Sequence, residues 1–397
     1  MRTFYNVGDA LFIVENVNDK YFIYDCGAQN NFDAETAIRK AFPCQGQIIE
    51  AVFISHYDRD HINGIHFLLT HCEVRLLILP LLSKFTMFFL YSNLMERADV
   101  SENDIEFVLN TVDYVNQISP STRIVYIDST QNDAQNFAND GITFENLYNN
   151  TSNEFTMENP LNSGIKVHPK SNPDWIFMIH NIQTLTIEEE KTFKDKFSSL
   201  CIEAGVEDGD IKALWKKKEL CLDKGFKRDN MPKEAIQTYI DKLKGHSINS
   251  LCLTVYSGPC KASTKGKVGC LYLGDFNAKK YFLDLHHAFY QVWENIGAIQ
   301  IPHHGSWHNY HEKLLAENTL AIVSLKLPLS KRNFNRKVTL KKIVEQNGVL
   351  LATGYRGDIY IEAYTAQTIS GHIDILLCCD EMRIPLFWKI CLLLPKI

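Results

Sequence analysis

The chain has 397 residues, 45% hydrophobic and 22% charged, which suits one large globular domain or two ordinary ones with a sizeable core. A formal net charge of −6 gives no global case for nucleic-acid binding and leaves only a local basic groove open. The 11 cysteines are odd in number and lack a short repeating spacing, so free thiols in a reducing cytosol are expected rather than a disulfide framework.

The N-terminus, "MRTFYNVGDALFIVENVNDKYF", has no unbroken apolar core and no small-residue cleavage site. No stretch is long and apolar enough to span a bilayer, so a cytoplasmic chain is expected. "DALFIVE" and "KYFIYDCG" read as strands joined by a hairpin at "NVNDK". "DAETAIRKAF" is helical in period with Asp33 as candidate N-cap, and the apolar run "IIEAVFISH" reads as a strand covered on both faces. "EVRLLILP" is a further strand, 82–114 is helical in pattern, and "TRIVYIDS" returns to strand. Residues 130–165, rich in Asn, Thr and Ser, read as loops with short strands, before the strand "DWIFMIH". Residues 181–245 hold 13 Lys plus Arg against 13 Asp plus Glu, so this segment reads as a charged helical insertion and not as a basic arm. Strands resume with "NSLCLTVYSG" and "KVGCLYLGD", then a helix through "YFLDLHHAFYQVWENI" and a strand in "AIQIPHHG". "LAIVSLK", a helix near "KVTLKKIVEQNG", "VLLATG" and "DIYIEAYTA" follow, and 366–397 forms an apolar C-terminal extension. Strand-rich halves on either side of the insertion make 1–397 one two-part α/β domain.

Three clusters sit at strand ends. In "SHYDRDH", His56, Asp58, Asp60 and His61 pack two imidazoles and two carboxylates into six positions, a ligand set for hard or borderline divalent metals. A solvated turn is the plain alternative, because Asp, Asn and Gly favour turns. "YLGDFN" ends a strand at Asp275, and Gly-Asp there is often only a turn. "IPHHGSWHNYH" carries His303, His304, His308 and His311, and surface histidines beside a helix start capped by Ser306 would also account for it. Each cluster alone has a structural explanation; three in one chain favour a site.

In chain order these pieces resemble the metallo-β-lactamase superfamily over most of the chain. "NVGDALFIVE" and "YFIYDCG" are similar to its opening strands, "SHYDRDHINGI" to its histidine-rich signature, "LYLGD" to its bridging-aspartate motif and "IPHHGS" to its final histidine motif. Within it, HxDxDH, the Asn/Ser strand "INSLCLTV" and Pro-His-His-Gly-Ser resemble the hydrolase domain of ComEC-type DNA-uptake competence proteins, here without a channel-forming region. Asp58 stands where most of the superfamily has His, which makes the site more oxygen-rich and leaves zinc or manganese open.

The resemblance implies a four-layer αββα sandwich with two divalent metal ions at one edge. His56, Asp58 and His180 would hold one, with His168 and His246 competing with His180. Asp60, His61 and one of His303 or His304 would hold the other, with Asp275 bridging and Asp25 and Gly27 in support. Asp60 would orient the attacking hydroxide, and His303 or His304 would stabilise the leaving oxygen. The implied activity is phosphodiester hydrolysis of a nucleic acid or nucleotide, with Lys331, Arg332, Arg336 and Lys337 as candidate phosphate contacts; a solvated loop is the competing account of that run. Ester, lactone or thioester hydrolysis by the same centre and a non-catalytic binding module are the alternatives. The 181–245 insertion is a candidate cap or protein-partner surface.

Overall fold

The computed structural model describes residues 1–82, 86–87, 90–91, 100–129, 142–149, 157, 159–182, 252–261, 267–316, 319–326, 329, 334–347, 350–353, 358–362 and 376–378, with isolated positions between 191 and 213. The first half lays down β1 (Arg2–Phe4), β2 (Phe12–Val17), β3 (Lys20–Cys26), α1 (Asn31–Ala41), β4 (Ile48–Phe53), α2 (Arg59–Ile62), α3 (Ile65–His71), β5 (Glu73–Pro80), α4 (Glu102–Leu109), α5 (Thr111–Ile118) and β6 (Arg123–Ile127). The second adds β7 (Ile142–Thr143), α6 (Phe144–Asn149), β8 (Ile165–His168), β9 (Trp175–Asn181), β10 (Leu253–Pro259), β11 (Gly269–Tyr272), α7 (Ala278–Ala288), β12 (Ile296–Gln300), β13 (Leu320–Val323), α8 (Phe334–Asn347) and β14 (Leu350–Ala352). β15 (Ile359–Glu362) and β16 (Leu376–Cys378) then return to the first sheet.

Among the described residues there are two eight-stranded sheets, ordered β16-β15-β1-β2-β3-β4-β5-β6 and β14-β13-β12-β11-β10-β9-β8-β7. In each, four successive strands run parallel, β3 to β6 and β11 to β14, while the hairpin neighbours are antiparallel. The sheets face one another across a core in which Phe22, Phe53, Phe144 and Phe177 stack and cross. Each such buried ring contributes about 1.5–3 kcal/mol of transfer free energy. A second apolar layer lies between the first sheet and α1, α3, α4 and α5, and a third between the second sheet and α7 and α8. This is the four-layer αββα sandwich expected from the sequence.

Several local expectations hold for visible reasons. Asn18 and Asp19 both take left-handed φ, 50° and 62°, as a two-residue type I′ hairpin between β2 and β3 requires. In β4, Ala51 and Phe53 enter the core between the sheets while Val52, and Ile54 just after the strand, face the helices, so the strand is covered on both sides. Other expectations are corrected. The N-cap of α1 is Asn30, whose Oδ1 accepts from Asp33 N at 2.9 Å; Asp33 is a first-turn acid that favours the helix dipole. α7 stops at Ala288 and gives way to a 3₁₀ turn at Trp293–Asn295. The Asn-rich stretch contains α6, which drives Phe144 and Leu147 into the core.

Of the insertion read at 181–245, Asn181 closes β9, a few positions between 191 and 213 are described, and 214–245 lies outside the described residues. Of 366–397 only β16 is described. Cys26, Cys44, Cys72, Cys201, Cys252, Cys260 and Cys270 are free thiols, and among the described residues no helix is long and apolar enough to cross a membrane.

A buried polar bridge ties the two sheets together. Arg2 of β1 pairs with Glu15 of β2 at 3.1 Å and donates to the carbonyls of Val268 and Ser257. Glu15 accepts from Ser257 Oγ at 2.9 Å and Tyr272 Oη at 2.7 Å. At the far end of the strands, Leu253 N donates to Ser55 O and Tyr24 Oη to Leu253 O, both at 2.7 Å. The parallel strands therefore end together, and the loops after β4, β11 and β12 meet at one edge, where open sheets commonly place their sites.

Candidate metal centre

β4 delivers Ser55 and His56, and the chain turns at once into α2, so Asp60 and His61 ride on one helical turn. The turn closes tightly over β3: a Cβ on Gly27 would lie 1.8 Å from Asp60 O, so only glycine lets the loop approach. Asp58 stands at the N-cap position of α2 without making a cap hydrogen bond, and its Oδ2 lies 3.6 Å from His56 Nε2. Asp275 follows Gly274, whose φ of +53° and whose Cβ position 2.6 Å from Ser55 both exclude larger residues.

His303 and His304 both adopt left-handed φ, 48° and 52°. Two consecutive non-glycine residues there cost on the order of 1–2 kcal/mol each. The turn is held by His303 N donating to Gly274 O at 3.0 Å and Ser306 N to His303 O at 2.9 Å. Gln300 braces it from below, accepting from Leu273 N and donating to the carbonyls of Gly274 and Ile301. The strained backbone sends two successive rings, 6.1 Å apart and 73° to each other, at one carboxylate.

That carboxylate divides the cluster. Asp275 Oδ2 faces His303 Nε2 at 3.6 Å and His56 Nε2 at 3.9 Å, while Oδ1 faces His61 Nε2 at 3.4 Å and His304 Nε2 at 3.9 Å. Asp58 lies on the His56 side. Asp60 lies on the other, its Oδ2 3.5 Å from His304 and 3.9 Å from His61. Each half thus holds two imidazoles, one aspartate of its own and one oxygen of Asp275. His303 and His304, alternatives in the sequence, fall one on each side.

The outward nitrogens are all fixed as donors. His61 Nδ1 meets Asp25 Oδ2 at 2.8 Å, His304 Nδ1 meets Ser324 O at 3.0 Å and His303 Nδ1 meets Asn309 Oδ1 at 3.0 Å. Ser55 Oγ donates to Asp25 at 2.7 Å, so it accepts from His56 Nδ1 at 2.9 Å. With Nδ1–H committed, every Nε2 lone pair turns to the centre, as metal-ligating histidines require. Nε2 of His56, His61 and His304 is buried without a hydrogen-bond partner, which marks room for a group that these atoms would bind.

The electrostatics agree. Burial and the neighbouring His56 push the His61 pKa down, but Asp25 and Asp275 outweigh them and hold it up at about 10. His304 is likewise raised against burial, by the Asp60 hydrogen bond and the charge of Asp275. Asp275 is held well below the usual carboxylate range against burial, by His303 and His61, and Asp60 is lowered by His304 and His61. The carboxylates draw protons onto the imidazoles, and a divalent cation would take the place of those protons. Among the described residues, two sets of three donor atoms lie close enough to share an ion: His56, His61 and Asp275, and Asp60, His61 and His304; His61 stands in both, and neither includes Asp58 or His303.

His180 is not brought to this cluster. β9 sends Phe177 and Ile179 between the sheets and Met178 and His180 to the helix side, where the His180 ring packs edge-on against Phe289 at 4.7 Å. Burial there lowers its pKa to about 3. His168 ends β8 beside Pro169 O, His311 stacks on Phe282 at 4.5 Å, His308 is exposed, and His246 lies outside the described residues. Of the basic run, Arg336 pairs with Asp9 at 2.8 Å and Lys337 sits in α8; Lys331 and Arg332 lie outside the described residues. Sequence reasoning did not single out Cys252, a fully buried thiol that interacts with His56, nor the positioning partners Ser55, Asn309 and Ser324.

No family model matches the chain, and neither does any curated protein sequence. Eight chains of known structure match it. One is human tRNase Z, short form, at 9% identity and a TM-score of 0.36, with 96% of this chain and all of that chain covered.

Proposed function

We propose that this chain is a metal-dependent hydrolase of the metallo-β-lactamase superfamily that cleaves phosphodiester bonds with two divalent cations, zinc or manganese. The observation that carries the reading is the division of the centre by Asp275, with four Nε2 lone pairs aimed at its two oxygens. His56, Asp58 and His303 would hold one cation, and Asp60, His61 and His304 the other, with Asp275 shared. Bound there, the cations would supply Lewis-acid polarisation of the phosphoryl group and acidify water.

The chain's own residues do the rest. Asp60, whose side chain is 27% exposed, is placed to orient an attacking water by accepting its hydrogen bond. His303, 37% exposed, is the most open of the four rings; with Nδ1–H given to Asn309 and Nε2 to a cation it serves as a ligand, on the side where a substrate would enter. Asp25, Ser55, Asn309 and Ser324 hold the ring tautomers. Lys279 and Lys342, at the turn that follows His304, favour an anionic substrate over an ester or lactone.

The test is a manganese- and zinc-supplemented screen over single-stranded DNA, duplex DNA, RNA, cyclic dinucleotides and carboxylic esters, with Asp60→Asn as control. Phosphodiester cleavage lost in the control supports the reading. Activity on esters alone overturns it, and metal binding without any turnover favours a binding module.

A further inference from the structure

His303 Nδ1 bonds Asn309, which closes the turn Ser306–Asn309 and donates its Nδ2 to Asp275 O at 2.7 Å. On that turn sits the half-buried Trp307. Lys279, in the first turn of α7, is locked to the same turn through its backbone N, which donates to Asn309 O at 3.0 Å. Its Nζ donates to Trp307 O at 3.3 Å and lies 4.3 Å from the centre of the indole. From α8, the Nζ of Lys342 lies 5.1 Å from the same ring. One aromatic side chain therefore gathers two ammonium groups from two helices, on the turn whose Asn309 holds the most open histidine of the centre. An indole face attracts a cation by about 0.5–1 kcal/mol at an exposed site, which offsets part of the repulsion between the two lysines.

Lys279 meets no carboxylate among the described residues. Lys342 meets Glu312 at 3.4 Å, with both side chains largely exposed, a kind of pair that contributes little and exchanges readily.

We infer that Lys279, Lys342 and Trp307 form a subsite that grips a phosphate of a nucleic-acid strand next to the one being cleaved. The inference rests on the phosphodiesterase reading and adds the requirement for a polymeric substrate. Lys279 and Lys342 make the phosphate contacts, and Trp307 positions both ammonium groups.

The experiment measures binding of a fluorescein-labelled single strand of about ten nucleotides, with hydrolysis-resistant phosphorothioate linkages, to the full-length protein by anisotropy across a salt series. Lys279→Gln and Lys342→Gln are each expected to weaken binding several-fold and to reduce the slope of log affinity against log salt by about 0.7. Trp307→Ala should weaken binding as much as either, with partial rescue in Trp307→Phe. Lys341→Gln removes the same charge one residue away, from a lysine paired with Glu345 at 3.5 Å, and should leave both readouts as in the wild type. Lysine variants that bind like Lys341→Gln, or a wild-type protein that does not bind the strand, overturn the subsite. Hydrolysis of bis(p-nitrophenyl) phosphate by the wild type reads the centre separately. Cleavage of that small diester without strand binding sinks the subsite alone; strand binding without cleavage sinks the phosphodiesterase reading, and with it the subsite's place beside a phosphate being cleaved.

Discussion

Replacing Asp25 by Asn should cripple metal binding while leaving the fold nearly intact. Asp25 is fully buried at φ 55°, a conformation that Asn tolerates and most residues do not. Its Oδ1 accepts from Ser55 N at 2.6 Å, and its Oδ2 from Ser55 Oγ at 2.7 Å and His61 Nδ1 at 2.8 Å. The backbone N–H of Ser55 cannot become an acceptor, so the Asn oxygen must stay opposite it. The amide NH₂ then faces His61 Nδ1 and must donate to it. His61 is driven to carry its proton on Nε2, the nitrogen that faces Asp275 at 3.4 Å. Loss of such an outer partner typically costs 10–100-fold in metal affinity, about 1.4–2.7 kcal/mol. Competition with a chromogenic chelator reads that affinity, and urea unfolding in chelator shows that the metal-free fold survives with a loss of about 1 kcal/mol. Asp25→Asn binding metal as tightly as the wild type would refute the tautomer argument.

Further outcomes follow from the same contacts. Gly27→Ala forces its Cβ into Asp60 O, and should cost about 1–3 kcal/mol or more in denaturant unfolding while also weakening metal binding. Arg2→Met leaves Glu15 charged and unpaired between the sheets, and a loss of about 3–5 kcal/mol is expected in the same assay. His180 has a folded pKa near 3 against the usual 6.5, so its unfolded form binds the proton first. The stability that its burial permits is full above pH 6.5 and falls as the pH drops towards 3, by about 1.4 kcal/mol per pH unit. His180→Gln should flatten that part of the melting profile, and an unchanged acid slope would mean that the ring is not buried neutral.

Much of the fold was readable because the strands are short apolar runs between turn residues, and because Asn18-Asp19 can form only a narrow set of hairpins. The three site clusters were readable because each ends a strand with polarity that a core would reject. What could not be read was long-range. The Nδ1 partners of the four histidines include Asp25, 36 residues from His61, and Ser324, 20 residues from His304, and nothing local signals such pairs. The split between His303 and His304 depends on two left-handed residues that sequence pattern does not announce. His180 was drawn into the site because it stands at a strand end where the resemblance implies a further ligand; only the packing of the sheets decides that Ile179 faces inward and His180 outward. Asp33 and Asn30 are both good caps, and the start of the helix selects Asn30.

The central claim is that Asp275 is shared by two cations held by separate sets of residues. Titration calorimetry of the metal-free protein with manganese or zinc tests it most directly. Two ions per chain are expected in the wild type, one in His56→Ala and in His304→Ala, and none bound tightly in Asp275→Ala. Fewer than one tightly bound ion in the wild type, or an Asp275→Ala variant that binds as the wild type does, would contradict it.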